Sequence, residues 1–201
     1  FWDSRYSAEE YVYGILPNEY FKSKLITDEK SGNILFPAEG EGRNAVYAAL
    51  KGFNVTAFDI SVSGRDKAQK LADDNNVRID YRIGSFEDVE LYENHFDYIV
   101  LTYAHFPPAL KVKYYTSLHK YLKPGGIVII EGFSKNHIAV NKENQFPCGP
   151  NNIDMLFSIQ EFKEYFSDFE ILELDEKEIE LSEGSFHKGK GSVIRFTGKK
   201  K

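Results

Sequence analysis

Gly40-Glu41-Gly42-Arg43-Asn44 follows the apolar run Asn33-Ile34-Leu35-Phe36-Pro37 and precedes a second apolar run that ends on Asp59. The order is strand, glycine turn, helix, strand, acid, which is the order of a βαβ unit. Glycines at such a turn let the backbone bend sharply and let another group come close, while the helix that follows opens with unpaired N–H groups. An acid about 20 residues beyond is where a βαβ unit sets a carboxylate beside ribose hydroxyls. A nucleoside cofactor is implied.

The alternation continues. Apolar runs read as strands at about 33–37, 54–59, 78–82, 97–102 and 127–133, with helical patterns between them. Ala45, Ala48 and Ala49 suit a helix packed tightly on a sheet, and Leu110, Tyr114, Leu118, Tyr121 and Leu122 recur at helical spacing. Pro107-Pro108 can start that helix and Pro124-Gly125 stops it. Alternating strands and helices predict a parallel, doubly wound sheet.

The last quarter differs. Ser158-Ile159-Gln160-Glu161 is a capping box before Phe162, Tyr165 and Phe166, and Glu170 to Leu181 then alternates like a strand. Gly184, Gly189 and Gly191 punctuate a turn, carrying His187 and Lys188, ahead of Val193-Ile194-Arg195-Phe196. Strands joined this closely run antiparallel, because a parallel return needs a crossover of a dozen or more residues. The expected fold is α/β: a doubly wound, mostly parallel, Rossmann-like sheet of seven strands with a C-terminal antiparallel β-hairpin. One domain over 1–201 is expected, with an N-terminal lid segment (1–30), a cofactor-binding half (31–135) and an acceptor side (136–201).

Charge selects the nucleoside. Gly40-x-Gly42-x-x-Ala45 matches a dinucleotide fingerprint as written, but Glu39 and Glu41 flank Gly40. A pyrophosphate binds a helix N-terminus through N–H dipoles and positive potential, which two carboxylates oppose. They suit a ligand carrying a sulfonium and an ammonium, as S-adenosylmethionine (SAM) does. No Gly-Lys-Ser/Thr follows, so the loop is not a Walker loop.

With these motifs the chain resembles the class I SAM-dependent methyltransferases, and among them the tellurite-resistance and thiopurine-like small-molecule branch. The resemblance spans nearly the whole chain: Phe1-Trp2-Asp3-Ser4-Arg5-Tyr6, Tyr13-Gly14 to Pro17-Asn18-Glu19, the stretch from Ile34 to Asn44, Val55 to Ser61, Phe96-Asp97-Tyr98-Ile99-Val100, and Leu122-Lys123-Pro124-Gly125-Gly126. It departs at Phe36-Pro37-Ala38, where the family has an acid, a hydrophobe and a glycine, and at Ser85, where an acid often follows the third strand. Glu39 or an N-terminal side chain can replace the first lost contact to the methionine end.

Ligands of open α/β sheets lie beyond the carboxyl ends of the strands. The expected cofactor contacts are therefore Glu39, Gly40, Gly42 and Asn44, then Asp59 and Ile60, Ser85 and Phe86, and Tyr103. Trp2 and Tyr13, with Tyr6 and Tyr11, are too aromatic for a disordered tail and are expected to close over the cofactor as a lid. Methyl transfer from a sulfonium is an in-line displacement, so the protein must mainly hold the nucleophile near the methyl carbon in a dry pocket. Tyr103 and His105 end the fourth strand and can orient an acceptor or take its proton. In the resembled branch, basic residues of the C-terminal region face the acceptor, which adds His187, Lys188 and Arg195. Asn136, His137 and Cys148 belong to a Pro/Gly/Asn-rich loop suited to acceptor recognition.

Other chemistries are disfavoured. Phe106-Pro107-Pro108-Ala109 lacks the polar and stacking flanks with which base-methylating enzymes hold an exocyclic amine, and the net charge of −6 opposes counterion-release binding to nucleic acid. No carboxylate follows the fourth strand as a magnesium ligand, no His/Cys/Asp cluster has metal-ligand spacing, and the lone Cys148 forms no internal disulfide. No apolar run approaches the roughly 20 residues that span a bilayer, so a cytoplasmic protein acting on a small soluble acceptor (a thiol, a chalcogen oxyanion or a similar metabolite) is expected. The alternatives are a nicotinamide-dependent oxidoreductase, opposed by Glu39, Glu41 and the hairpin, and a non-catalytic SAM-binding module.

Overall fold

Side-chain alternation along the central strands sorts the core into two layers. In β1 (Asn33–Pro37), Ile34 and Phe36 join one cluster and Leu35 the other, and in β4 (Phe96–Thr102) Val100 opposes Ile99 and Leu101 in the same way. This is the period-2 consequence of a strand buried on both faces. The computed structural model describes residues 1–25, 32–145 and 147–201; residues 26–30 of the expected lid segment lie outside them.

β1 pairs in parallel with β2 (Asn54–Asp59), β2 with β3 (Asp80–Ile83), β1 with β4, and β4 with β5 (Leu122–Phe133). β7 (His187–Lys200) runs antiparallel between β5 and β6 (Phe169–Glu183), giving a seven-stranded sheet of order β3-β2-β1-β4-β5-β7-β6. One face is covered by α2 (Glu19–Lys24) and α3 (Arg43–Leu50), through Tyr20, Phe21, Ala45 and Ala48. The other is covered by α5 (Pro108–Tyr121) and α7 (Ile159–Tyr165), through Tyr115, Leu118 and Phe162. Pro108 opens α5 and the Ser158/Glu161 capping box opens α7, as their sequences predict. The strand order reverses between β1 and β4, and the crevice at such a point is where open α/β sheets bind ligands.

Several boundaries differ from the sequence reading. Leu122 is the first residue of β5 rather than the last of α5: its side chain is fully buried and pairs opposite Phe96, so packing and ladder outweigh its helical spacing. The hairpin turn holds only Gly184, Ser185 and Phe186. Gly189 and Gly191 lie inside β7 opposite Leu181 and Ile179, and His187 and Lys188 pair with Glu183 and Ser182. The glycines had suggested a long turn, but each accommodates a close neighbour instead: a Cβ on Gly191 would sit 2.9 Å from Leu181 Cδ1. His137 opens a short helix, α6 (His137–Asn141), rather than lying in a loop.

At the sheet's edge, β6 presents Glu170, Glu173, Asp175, Glu176, Glu178 and Glu180 with Lys177 as its one basic residue. Its inner neighbour is clamped by aromatic packing, with Phe196 of β7 stacked 4.4 Å from Phe166 and tilted 5.3 Å from Phe162.

Candidate active site

Register builds the site. Pro37 of β1 pairs with Phe58 of β2, so Glu39 and Asp59 leave the sheet side by side. Thr102 of β4, Glu131 of β5 and Arg195 of β7 form one rung across three strands, and Tyr103 follows it immediately.

On the β1–β2 side, Asp59 accepts the backbone N–H of Gly40 at 3.0 Å and of Ser61 at 2.9 Å. One bond to each oxygen leaves acceptor capacity for hydroxyls, because a carboxylate offers about four lone-pair sites. Glu39 accepts from the backbone N–H groups of Asn44 at 2.9 Å and Ala45 at 2.8 Å, in the first turn of α3. The helix end on which a dinucleotide would set its pyrophosphate is thus already filled by a carboxylate. Burial holds the Glu39 carboxyl up at about 7 and raises Asp59 above the usual carboxylate range. Two acids, Asp59 buried and Glu39 half-buried, whose bonds come from backbone N–H groups fit a cofactor that brings positive charge. Ile60, beside Asp59, leaves most of its side chain exposed.

Glu41 is placed differently from expectation. Its carboxylate accepts the N–H groups of Val12 and Tyr13 and pairs with Lys67 Nζ at 2.7 Å. It anchors the N-terminal segment and its charge is spent there, so Glu39 alone carries the electrostatic argument against a pyrophosphate. The loop glycines also serve the chain's own contacts. Both have left-handed φ values, +65° for Gly40 and +85° for Gly42, and a Cβ on Gly40 would lie 2.6 Å from Tyr6 Oη, one on Gly42 2.5 Å from Ala68 Cβ of α4 (Val62–Asp74).

The N-terminal segment lies across this loop. Trp2 stacks on Tyr6 at 5.5 Å, within α1 (Trp2–Tyr6), and Tyr6 is buried against Gly40 and Gly64. Asp3 accepts from Ser61 Oγ and Ser63 N at the start of α4, Tyr11 donates to the Lys67 carbonyl, and the Val12 carbonyl accepts from Ser185 N in the hairpin turn. The segment therefore joins the β1–β2 side to the hairpin.

On the β4–β5–β7 side lies a buried polar network. Glu131 accepts from Asn18 Nδ2 at 2.6 Å, Tyr103 Oη at 3.0 Å and Arg195 Nε at 2.6 Å. Glu183 binds Arg43 (2.9 and 3.0 Å) and His187 Nδ1 at 3.0 Å, and these partners hold its carboxyl down at about 2 despite its burial. His187 is walled by the rings of Tyr103 (4.4 Å), Tyr13 (4.5 Å) and Phe133 (5.5 Å). Burial outweighs the pull of Glu183 and lowers the imidazole below its ordinary range, so the ring is neutral, with Nδ1–H on the carboxylate and Nε2 carrying a lone pair. Tyr103, at φ +53°, is fixed by this network and burial raises its phenol well above 10, so it is a donor and wall rather than a base.

The remaining expected residues are used elsewhere. His105 donates from Nδ1 to the Met155 carbonyl (3.0 Å) and accepts the Phe133 N–H at Nε2 (3.0 Å), and burial drops it to about 3. Both nitrogens are spent holding the 153–157 segment on β5, which removes His105 from acid–base work. Ser85 Oγ donates within its own turn to Asp88 and Glu87, and Phe86 packs edge-on against Phe58 at 5.0 Å, so this pair reads as turn and core chemistry. His137 stacks on Phe133 at 4.0 Å and binds the Cys148 carbonyl and Ser192 N, while burial pushes the Cys148 thiol up to about 11. Lys188 is exposed. Among the described residues no group of three or more His, Cys, Asp or Glu is placed to hold a metal, and no helix is long and apolar enough to cross a membrane.

Residues 34–126, the stretch carrying the glycine loop, Asp59 and Tyr103, match a family described as a methyltransferase domain. The probable S-adenosyl-L-methionine-dependent methyltransferase TehB of Haemophilus influenzae is 26% identical over 182 residues, covering 81% of this chain and 59% of TehB. Residues 34–126 are a methyltransferase domain. The methyltransferase domain is similar also to the ubiquinone biosynthesis O-methyltransferase of Rickettsia akari, 30% identical over 100 residues, 50% of this chain and 39% of that one. The chain therefore spans less than two thirds of the length of these curated relatives. The crystal structure of H. influenzae TehB superposes with a TM-score of 0.68 at 22% identity, over 86% of this chain and 58% of that one. A protein solved in the study of the conversion of a disulfide bond into a thioacetal group during echinomycin biosynthesis shares the fold at a TM-score of 0.71 and 19% identity, over 98% and 90%.

Replacing Asp59 with alanine is expected to weaken SAM binding by about 1–3 kcal/mol, the cost of losing hydrogen bonds to a charged group. Titration calorimetry checks it; unchanged affinity in the variant removes Asp59 from the cofactor site.

Proposed function

We propose that the chain is a SAM-dependent methyltransferase of a small soluble acceptor: a thiol, a chalcogen oxyanion or a similar metabolite with a reactive lone pair. The observation that carries this reading is the His187–Glu183 pair beside Tyr103, on the β4–β5–β7 side of the crevice whose β1–β2 side carries Glu39 and Asp59. SAM, when bound, supplies the methyl group as a sulfonium substituent. Glu39 and Asp59 offset its positive end and hold its hydroxyls, and the rings of Tyr13, Tyr103 and Phe133 keep water from the acceptor. For a protic acceptor, His187 Nε2 takes the acceptor's proton as the methyl–acceptor bond forms and the sulfur–methyl bond breaks. Glu183, ionised, steadies the imidazolium until the proton leaves to solvent. An acceptor that arrives as an anion has no proton to give, and His187 then only binds it.

A labelled methyl group on SAM, offered with thiophenols, selenite and a catechol, tests the reading. Transfer to one class names the acceptor, whereas tight SAM binding without transfer to any of them, or to a metabolite extract, favours the binding module.

In the same reading the segment from Trp2 to Tyr13 is the lid. Hydrogen exchange across residues 1–20 is expected to slow when SAM is added, because opening of the segment then costs the cofactor's contacts as well. Identical exchange with and without SAM marks the segment as plain packing.

A further inference from the structure

Among the described residues, Asn18 is the one side chain that hydrogen-bonds both carboxylates of the polar network. It is 2% exposed, and every hydrogen-bonding group it owns is engaged. Its Nδ2 reaches Glu131 Oε1 at 2.6 Å and Glu183 Oε1 at 3.2 Å, its Oδ1 caps α2 by accepting the Phe21 N–H at 2.9 Å, and its backbone N–H donates to Asn44 Oδ1 at 2.8 Å. The two carboxylates divide the site between them: Glu131 holds Tyr103 and Arg195, and Glu183 holds His187 and Arg43.

Two like charges within reach of one amide, Glu131 buried and Glu183 half-buried, repel unless something draws them together. An –NH2 group supplies two donors and no charge, so it can bond both carboxylates without unbalancing the two arginines that neutralise them. Aspartate at this position has no donor for either, and leucine leaves both short of a bond. The residue type is therefore dictated by the gap it spans, 113 and 165 positions away along the chain.

We infer that Asn18 is a positioning residue of the methyl-transfer site, clamping Glu131 and Glu183 so that Tyr103 and His187 face each other at the distance the reaction needs. It acts through its carboxylates and touches neither acceptor nor cofactor. The inference rests on the reading of His187 as the group that meets the acceptor.

Asn18→Ser separates the clamp from the cap, because serine is as good an N-cap but too short to reach either carboxylate. In the full chain, this variant is expected to lower kcat for the best acceptor of the screen by roughly 10–100-fold, with SAM affinity changed less than about threefold. Combined with His187→Ala it should add nothing further, since a residue that acts through another loses its effect when the other is gone. Independently of turnover, the side-chain ¹⁵N resonances of His187 followed by NMR against pH should show a shifted titration in Asn18→Ser. A kcat effect that adds fully to that of His187→Ala, or wild-type turnover, overturns the clamp. If wild type transfers no methyl group, the reading of His187 fails on its own, and the ¹⁵N titration still decides the clamp: an unmoved titration overturns it.

Discussion

His187→Ala is expected to lower turnover by roughly 10²–10⁴-fold with a protic acceptor, the usual scale of acid–base assistance, and to leave SAM affinity nearly intact. The ring is positioned for this by contacts from four directions: Glu183 on Nδ1, and the rings of Tyr13, Tyr103 and Phe133 around it. The charged and titratable groups that face it are Glu183, Glu131 and Arg43, with Tyr13, Tyr103, His105 and His137 near by. Burial lowers its titration, so the neutral base is present at neutral pH, and kcat/KM should be level there and fall only as pH drops below the ordinary histidine range. With an anionic acceptor the loss should be smaller and appear chiefly in KM, because only binding is removed. Steady-state kinetics of the variant against pH distinguish the two. Wild-type kinetics throughout would make His187 structural.

The second large effect concerns stability. Phe196→Ala is expected to cost about 3–5 kcal/mol, the range for emptying a buried aromatic site, and to lower the melting temperature by about 2–4 °C for each kcal/mol in a chain of this size. Phe196 is fully buried and joins β7 to α7 through Phe162 and Phe166, while its neighbour Arg195 points to the opposite face and binds Glu131. Loosening this packing should therefore also blur the site. Thermal unfolding of the variant checks it: a melting temperature within a degree of wild type would mean that α7 collapses into the gap.

The half of the site built by β1, α3 and β2 was legible because its signals are local. Two glycines, an apolar strand and an acid at fixed spacing specify a βαβ unit, and Asp59 stands where that unit puts it. The direction of the C-terminal hairpin was legible for a similar reason, since a short connection forbids a parallel return. What the spacing did not reveal was the partner of each polar group. His105 and His187 look alike as histidines near strand ends, and only the fold shows that backbone groups take both nitrogens of one and a carboxylate takes one nitrogen of the other. Glu131 did leave a visible signal, a carboxylate inside the otherwise apolar run Ile127 to Phe133, which demands a buried partner. Arg43, charged at the opening of α3, is a second signal of that kind. The clamp of Asn18 on Glu131 and Glu183 left none, because it exists only once residues more than a hundred positions apart are brought together.

Among the described residues no strand pairs with the outer edge of β6, which ends the sheet as a template onto which a second copy of the chain could add its own. Its alternating acids turn that edge against self-recognition. Two such strands brought together would face carboxylate with carboxylate, and like charges directly opposite on neighbouring strands are destabilising. The protection is electrostatic, so it weakens where carboxylates take up protons or salt screens them. Acidic or high-salt storage is where filament-like stacking of this otherwise charge-guarded sheet should first appear.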